Sequence, residues 1–268
     1  MAQSTNRCAR RKASPRPAGG AQGLGYNFPV PAAKNTAPVP TPSRRALAAR
    51  ARRIHAALLA AYGEPTWRSE MPPMDELVST ILSQSTNDIN RDRAFEALRA
   101  RFPTWEAVRD APEAEVVAAI RVAGLANQKG PRLQAVLRQI TAERGSLDLE
   151  FLRDLPVDEA RAWLTKFKGV GFKTAAIVLL FSLGRPAFPV DTHVHRVTGR
   201  LGLRPDKLSA DDSHPYFEGL LPPNTYYAAH LNLIRHGREV CHARNPECGR
   251  CVLQALCPFY RALAGGPI

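Results

Sequence analysis

From residue 44 onward the chain repeats apolar side chains at helical spacing and interrupts them with Pro or Gly, while the alternation expected of strands is absent. Arg45 to Tyr62 places Leu47, Ile54, Leu58, Leu59 and Tyr62 near one face, with Pro65 as the expected stop. Asp75 to Gln84 reads as a second helix with Leu77, Val78, Ile81 and Leu82 inward. Further helices are expected from Asp88 to Phe102, Pro112 to Val122 and Gln128 to Arg144. The connections are short, as compact helical domains require, and the expected fold class is all-α.

Leu164 to Leu183, LTKFKGVGFKTAAIVLLFSL, stands out within this pattern. It reads as a helix, a Gly-Val-Gly turn at 169 to 171, and a second helix that is apolar nearly all round. Such a helix is expected in the middle of its domain rather than at the surface. Another helix is expected through Val194 to Leu201, with Asp191 at its N-cap.

Residues 1 to 43 lack hydrophobic periodicity and are rich in Pro, Gly, Ala, Ser and Asn, the composition of a disordered tail. Charge is concentrated in the same direction. Residues 1 to 63 hold eleven Lys and Arg and no acidic residue, whereas the remainder holds 26 basic and 24 acidic residues, so the net +13 mostly describes the N-terminal segment. That segment is either a solvated tail or a nonspecific phosphate-binding arm. The longest apolar run, Ala175 to Leu183 interrupted by Ser182, is too short for the roughly 20 residues of a membrane span. No apolar stretch follows the first basic residues, so no secretory signal is expected, and the expected compartment is cytoplasmic.

Four of the five cysteines, Cys241, Cys248, Cys251 and Cys257, fall in one 17-residue window as C-x6-C-x2-C-x5-C. Thiolates grouped this way bind zinc or iron-sulfur clusters. Structural zinc usually takes two close pairs, and only Cys248 and Cys251 form one here. A [4Fe-4S] cubane suits the spacing better, with zinc and disulfides as the alternatives. Cys8 is remote and reads as an idle thiol.

The Gly-Val-Gly turn leaves backbone N–H groups of the following helix free at a positive helix end, a phosphate site indifferent to base sequence. An ordinary helix-helix turn would look the same. Lys173, in the first turn of that helix and in apolar surroundings, has reason to shed its proton and serve as a nucleophile; a phosphate-binding lysine is the plainer reading. Asp191 follows 18 residues later. Alone it is a helix cap, and paired with Lys173 it becomes a candidate catalytic carboxylate. His193 and His195 are spaced i, i+2, do not share a helix face, and read as surface or locally hydrogen-bonded residues.

KGVGFKTA, VDTHVHRV and HGREVC with its three following cysteines together resemble the endonuclease III family of helix-hairpin-helix DNA glycosylases, over about residues 46 to 260. The resemblance implies two all-helical domains with double-stranded DNA in the cleft between them. One is a six-helix barrel, here residues 67 to 185; the other joins residues 44 to 66 to 186 to 268 and carries the [4Fe-4S] cluster on Cys241, Cys248, Cys251 and Cys257. It implies a monomeric, nucleoid-associated base-excision-repair enzyme that removes oxidised pyrimidines and cleaves 3′ to the abasic site. Lys173 would be the nucleophile and Asp191 the carboxylate facing it. Lys168, Gly169, Val170 and Gly171 would contact DNA through the hairpin, and Arg244 through the cluster loop, with His236 and Arg238 also beside the cluster. Gln84 in Leu82 to Asp88 and Leu125 in Gly124 to Lys129 would fill the gap left by a flipped nucleotide, although Ser85 holds the glutamine's place in some relatives.

Lys168 departs from the family pattern, where proline often precedes Gly-Val-Gly, and the stretch Leu147 to Trp163 is longer than in the shortest relatives. Two other functions remain open at this level. A monofunctional mismatch glycosylase shares the fold and cluster, but Lys173 argues against it. A non-catalytic DNA-binding or redox-sensing relative would keep the fold without the chemistry.

Overall fold

The computed structural model describes residues 42–66 and 71–265, and among them every regular element is helical. The expected basic tail lies outside the described residues except for its last two, as does Cys8. Ser43 caps α1 (Arg44–Tyr62), its side chain accepting from the Ala46 amide at 3.2 Å. Gly63, at φ +80°, ends this helix two residues before the expected proline stop. The left-handed conformation gives the chain its exit, so Pro65 only follows it.

Then come α2 (Pro73–Ser83), α3 (Asp88–Arg101), α4 (Trp105–Asp110), α5 (Glu113–Ala119) and α6 (Ala126–Arg144). The six-residue α4 has too few turns to show a periodic face and was not expected. Thr104 starts it by accepting from the Ala107 amide. The expected helix to Val122 ends at Ala119 and continues as a single tighter turn, Arg121–Ala123.

Next are α7 (Val157–Thr165) and α8 (Phe172–Ile177), which widens into a π-helical turn over Val178–Ser182. This turn has a packing consequence. Val178, Leu179 and Leu183 enter one hydrophobic core while Leu180 enters another. The last helices are α9 (Thr192–Arg200), α10 (Ala210–Glu218), α11 (Tyr226–Glu239) and α12 (Pro258–Leu263).

The first core runs contiguously from Met74 to Ala187. The second unites Ala51, Ile54 and Leu58 of α1 with residues from Leu180 to Cys257. Each large apolar side chain buried in either core contributes roughly 1.5–3 kcal/mol. A buried ion pair ties α7 to α10: Arg161 meets Glu218 at 2.6 Å, and the same carboxylate oxygen accepts from the Phe188 amide at 2.8 Å.

Candidate functional site

A solvent-open cleft of about 2570 Å³ lies against α2, α8, the start of α9 and α11. Lys173, Ile177 and Phe181, spaced i, i+4 and i+8, put one stripe of the α8 segment into it. Thr174, Ala175, Ala176, Val178 and Leu179 of that segment are buried, whereas Phe172 at its start is exposed. The helix expected in the middle of its domain is therefore buried on most of its surface, but the cleft claims one face, and Lys173 opens that face at the first turn.

Asp191 lines the same cleft. It is the N-cap of α9, and its Oδ1 accepts from the Val194 amide at 2.7 Å. The second carboxylate oxygen has no hydrogen-bond partner among the described residues. The structure thus brings Lys173 and Asp191, 18 positions apart in sequence, to one cavity.

Two buried imidazoles share that cavity. His230 is 2% exposed, its Nδ1 lying 2.9 Å from the Pro189 carbonyl, and burial lowers its pKa to about 4. Asp191 pulls against this shift and Lys173 adds to it, so His230 sits within electrostatic reach of both. His214, with Nδ1 2.9 Å from the Phe188 carbonyl, is likewise lowered to about 4 by burial. Both rings are therefore neutral at physiological pH, bringing no cation to the cleft. His193 and His195 behave as expected of local hydrogen bonding: Arg196 donates to the His193 ring at 3.1 Å, and His195 Nε2 lies 3.0 Å from the Leu208 carbonyl.

The Gly-Val-Gly turn joins α7 to α8. Gly169 has φ +93°, which favours glycine, and a Cβ there would fall 2.1 Å from Arg132 Cδ, so a larger residue would displace that arginine. Gly171 differs. Its φ of −91° suits any residue, and nothing lies within 4 Å of an added Cβ. Its outer side is open to an approaching ligand. Val170 is buried as an anchor and Lys168 is exposed.

Gln84 lies half-buried at the end of α2. Its Nε2 donates to the Gly169 carbonyl at 2.9 Å, and its Oε1 accepts from Arg132 at 3.1 Å. Ser85 follows with φ 54°. Leu125 has φ 51° and is 51% exposed, an apolar side chain pointing to solvent from a left-handed backbone. Such a residue is strained by about 1–3 kcal/mol and persists where its surroundings over-determine it.

The four cysteines of the C-terminal loop are free thiols lining one cavity. Among the described residues no three His, Cys, Asp or Glu side chains come close enough together to hold a single metal ion. All four thiols line one cavity, and thiolate ligands suit an iron-sulfur cluster. Donors face the sulfurs: Arg200 Nη1 lies 3.3 Å from Cys241 Sγ and the Leu253 amide 3.4 Å from Cys251 Sγ. His236 Nε2 is 3.5 Å from Cys251 Sγ, while Tyr62 Oη lies 2.8 Å from His236 Nδ1. Hydrogen bonds of this kind suit metal-bound thiolates. Burial pushes the Cys251 and Cys257 thiols up, and the neighbouring cysteines add to the shift.

His236 borders this cavity as expected. Arg238 does not. It lines the Lys173–Asp191 cleft instead and pairs with Asp88 of α3 at 2.9 Å, because it follows His236 by two positions and emerges on another face of α11. Arg244 is exposed on the cysteine loop. Sequence reasoning passed over Lys129, Arg132, His214 and His230. Each reads in isolation as a polar helix residue; burial sets Lys129, His214 and His230 apart, and Arg132 is set apart by its contacts with Gln84 and Gly169.

Comparison with known proteins agrees with this geometry. Residues 78–223 match the family model for the HhH-GPD superfamily base excision DNA repair protein, and 241–257 match the iron-sulfur binding domain of endonuclease III. Endonuclease III of Thermotoga maritima is 31% identical over 204 residues, which cover 76% of this chain and 91% of that protein. A candidate DNA glycosylase of Arabidopsis thaliana is 38% identical over 165 residues, covering 62% of this chain but only 56% of the plant protein. A solved structure of a trapped endonuclease III–DNA covalent intermediate superposes with a TM-score of 0.70 at 25% identity, covering 81% of this chain and 98% of that one. The family of this domain carries a [4Fe-4S] cluster, and the matched span contains all four cysteines of the quartet. With its hairpin, its cleft and its ring of four thiols, this chain belongs to the endonuclease III family of the helix-hairpin-helix DNA glycosylases.

Proposed function

We propose that the chain is a base-excision-repair DNA glycosylase with AP lyase activity that removes oxidised pyrimidines, with Lys173 as nucleophile and Asp191 as its carboxylate partner. The observation that carries this reading is the convergence of Lys173, on α8, and Asp191, capping α9, on one solvent-open cleft. The glycosidic carbon is unreachable within stacked duplex, so the damaged nucleotide must be flipped into that cleft. The Lys173 amine then attacks C1′, the base leaves with the bonding electrons, and the sugar ring opens to a Schiff base. Loss of a C2′ proton expels the 3′ phosphate by β-elimination. The Asp191 oxygen not used by the helix cap stabilises the positive charge that develops on the sugar.

Gln84 and Leu125 are assigned to the gap left in the duplex, and the hairpin backbone from Lys168 to Gly171 to phosphate. The exposure and left-handed backbone of Leu125, and the open space outside Gly171, support these assignments. Arg244 extends the contact from the cysteine loop. The cluster, held by Cys241, Cys248, Cys251 and Cys257, shapes that loop and takes no part in bond breaking. Residues 67 to 185 are assigned to a barrel lobe, and 44 to 66 with 186 to 268 to a cluster lobe, in line with the two cores. The enzyme is assigned as a monomer acting on chromosomal DNA in the cytoplasm. No helix among the described residues is long and apolar enough to cross a membrane.

Borohydride tests the chemistry. Incubation with abasic-site or thymine-glycol duplex and reductant should trap a covalent adduct, which Lys173→Gln abolishes while the cluster absorbance remains. DNA binding without any adduct would favour a non-catalytic relative, and an adduct that survives Lys173→Gln would move the nucleophile elsewhere.

A further inference from the structure

Lys129 is only 1% exposed and heads the largest fully buried side chains among the described residues. Burying an ammonium carries a heavy desolvation penalty unless it is fully engaged by polar partners. Here the partners are two backbone carbonyls from different segments. Lys129 Nζ donates to the Leu82 oxygen at 2.7 Å and to the Ala123 oxygen at 2.9 Å. Burial lowers the pKa of this lysine, as expected of a cation held by neutral dipoles alone.

The identity of the two carbonyls gives the bond its interest. Leu82 lies two residues before Gln84, and Ala123 two residues before Leu125. Both are in the last turn of a helical segment, where carbonyls lack helical partners and carry the negative end of the dipole. One nitrogen thus joins the roots of both loops that face DNA. Each loop passes through a left-handed non-glycine residue just beyond its anchor, Ser85 at φ 54° and Leu125 at φ 51°. Arg132, three positions after Lys129 on α6, reaches Gln84 Oε1 at 3.1 Å and packs over Gly169. The start of α6 therefore braces the glutamine loop by its backbone and its side chain.

We propose that Lys129 is a positioning residue that fixes the spacing of the two loops, so that Gln84 and Leu125 enter the duplex as one wedge. The proposal rests on the reading of those two residues as the groups that replace a flipped nucleotide. Without the ammonium, both carbonyls lose their shared partner and can regain hydrogen bonds only by admitting water between the loops. The loops then move separately, and opening a stacked duplex, which needs both at once, becomes slower. Chemistry on a nucleotide that is already extruded does not need the wedge.

The test compares borohydride trapping rates at an abasic site inside a paired duplex with those at an abasic site in a three-nucleotide bulge. Lys129→Met should slow trapping on the paired duplex about tenfold and change the bulge rate less than about twofold, the scale of coupling between residues in one network. Gln84→Ala and Leu125→Ala, each slow on the paired duplex with Lys129 present, should combine non-additively there and independently in the Lys129→Met background. Should Lys129→Met fail to fold, judged by circular dichroism and the cluster absorbance, Lys129→Arg keeps charged donors on the same helix turn and should show the same selectivity for the paired duplex at a smaller loss. Equal losses on both substrates, or unchanged coupling between positions 84 and 125, would overturn the role of Lys129. If Gln84→Ala and Leu125→Ala leave the paired-duplex rate unaltered, the wedge reading itself fails, and a Lys129 effect seen in the same assay would have to be explained without it.

Discussion

The two hydrophobic cores are built on different terms. The first closes by side-chain packing over one contiguous stretch, Met74 to Ala187. The second draws α1 across to residues after Leu180 and encloses a cavity ringed by thiols where a packed interior would otherwise lie. The first is filled by its own side chains, and the second is expected to depend on the cluster that fills its cavity. Histidine shows the same division. All seven histidines lie outside residues 67–185, and three of them, His214, His230 and His236, are almost completely buried.

The largest expected effect tests this dependence on the cluster. Cys257→Ser removes the most deeply buried thiol of the quartet. Iron should be lost, and the second core should lose protection by an amount comparable to a whole domain's stability, roughly 5–15 kcal/mol. Hydrogen exchange should show fast amides in α9 and α11 while α2 and α6 stay protected. Equal loss of protection in both cores would mean that they are one cooperative unit and that the contrast is only topological.

The Arg161–Glu218 pair, 7% and 18% exposed, is the tie between the cores to break next. Arg161→Met leaves a buried carboxylate that still accepts from the Phe188 amide but has lost its cation. The expected cost is about 3–5 kcal/mol by urea denaturation. A cost below 1 kcal/mol would mean that the cores are held together mainly by the apolar α8 segment.

Acid should separate the cores more gently. The His214 pKa is about 4 in the fold and about 6.5 when unfolded. The unfolded chain therefore binds the extra proton between these values. Stability is complete above pH 6.5, falls as pH drops toward 4 and levels off below. At pH 5 the loss from this residue is about 2 kcal/mol. Exchange protection in α10 and α11 should fall accordingly, while the histidine-free first core keeps its own. His214→Gln should remove most of the effect in α10.

Legibility in sequence followed the same division. Periodicity reported the long helices of the first core because its apolar residues contact near neighbours in sequence, as Leu77, Val78, Ile81 and Leu82 do on α2. It missed α4, which is too short for a pattern, and the π-helical turn after Ile177, where Leu180 leaves the first core for the second. In the site, the thiols, the Gly-Val-Gly turn, Lys173 and Asp191 were visible because their chemistry is tied to residue type and spacing. Lys129 was not, since a lysine on a helix normally reads as solvated and its burial depends on where Leu82 and Ala123 place their carbonyls. Arg238 was misplaced for a related reason: proximity to the cysteines in sequence did not survive the turn of α11.

The smallest stability effect concerns the residues that the two cores contribute to the cleft. Asp191 has two separable tasks, capping α9 and carrying charge. Asp191→Ala loses both, and the cap alone should cost about 1 kcal/mol of stability. Asp191→Asn keeps an oxygen for the Val194 amide, so its melting temperature should stay within a degree or two of the parent, about 0.5 kcal/mol or less. If the carboxylate charge matters to the reaction, the two variants should be slow to a similar degree in single-turnover trapping despite their different stabilities. Lys173→Gln makes the corresponding change on the other wall, where the side chain caps nothing and should leave stability within about 0.5 kcal/mol. If Asp191→Asn instead reacts at the parental rate while Asp191→Ala is slow, Asp191 serves only to start a helix, and the second core's contribution to the cleft is shape without charge.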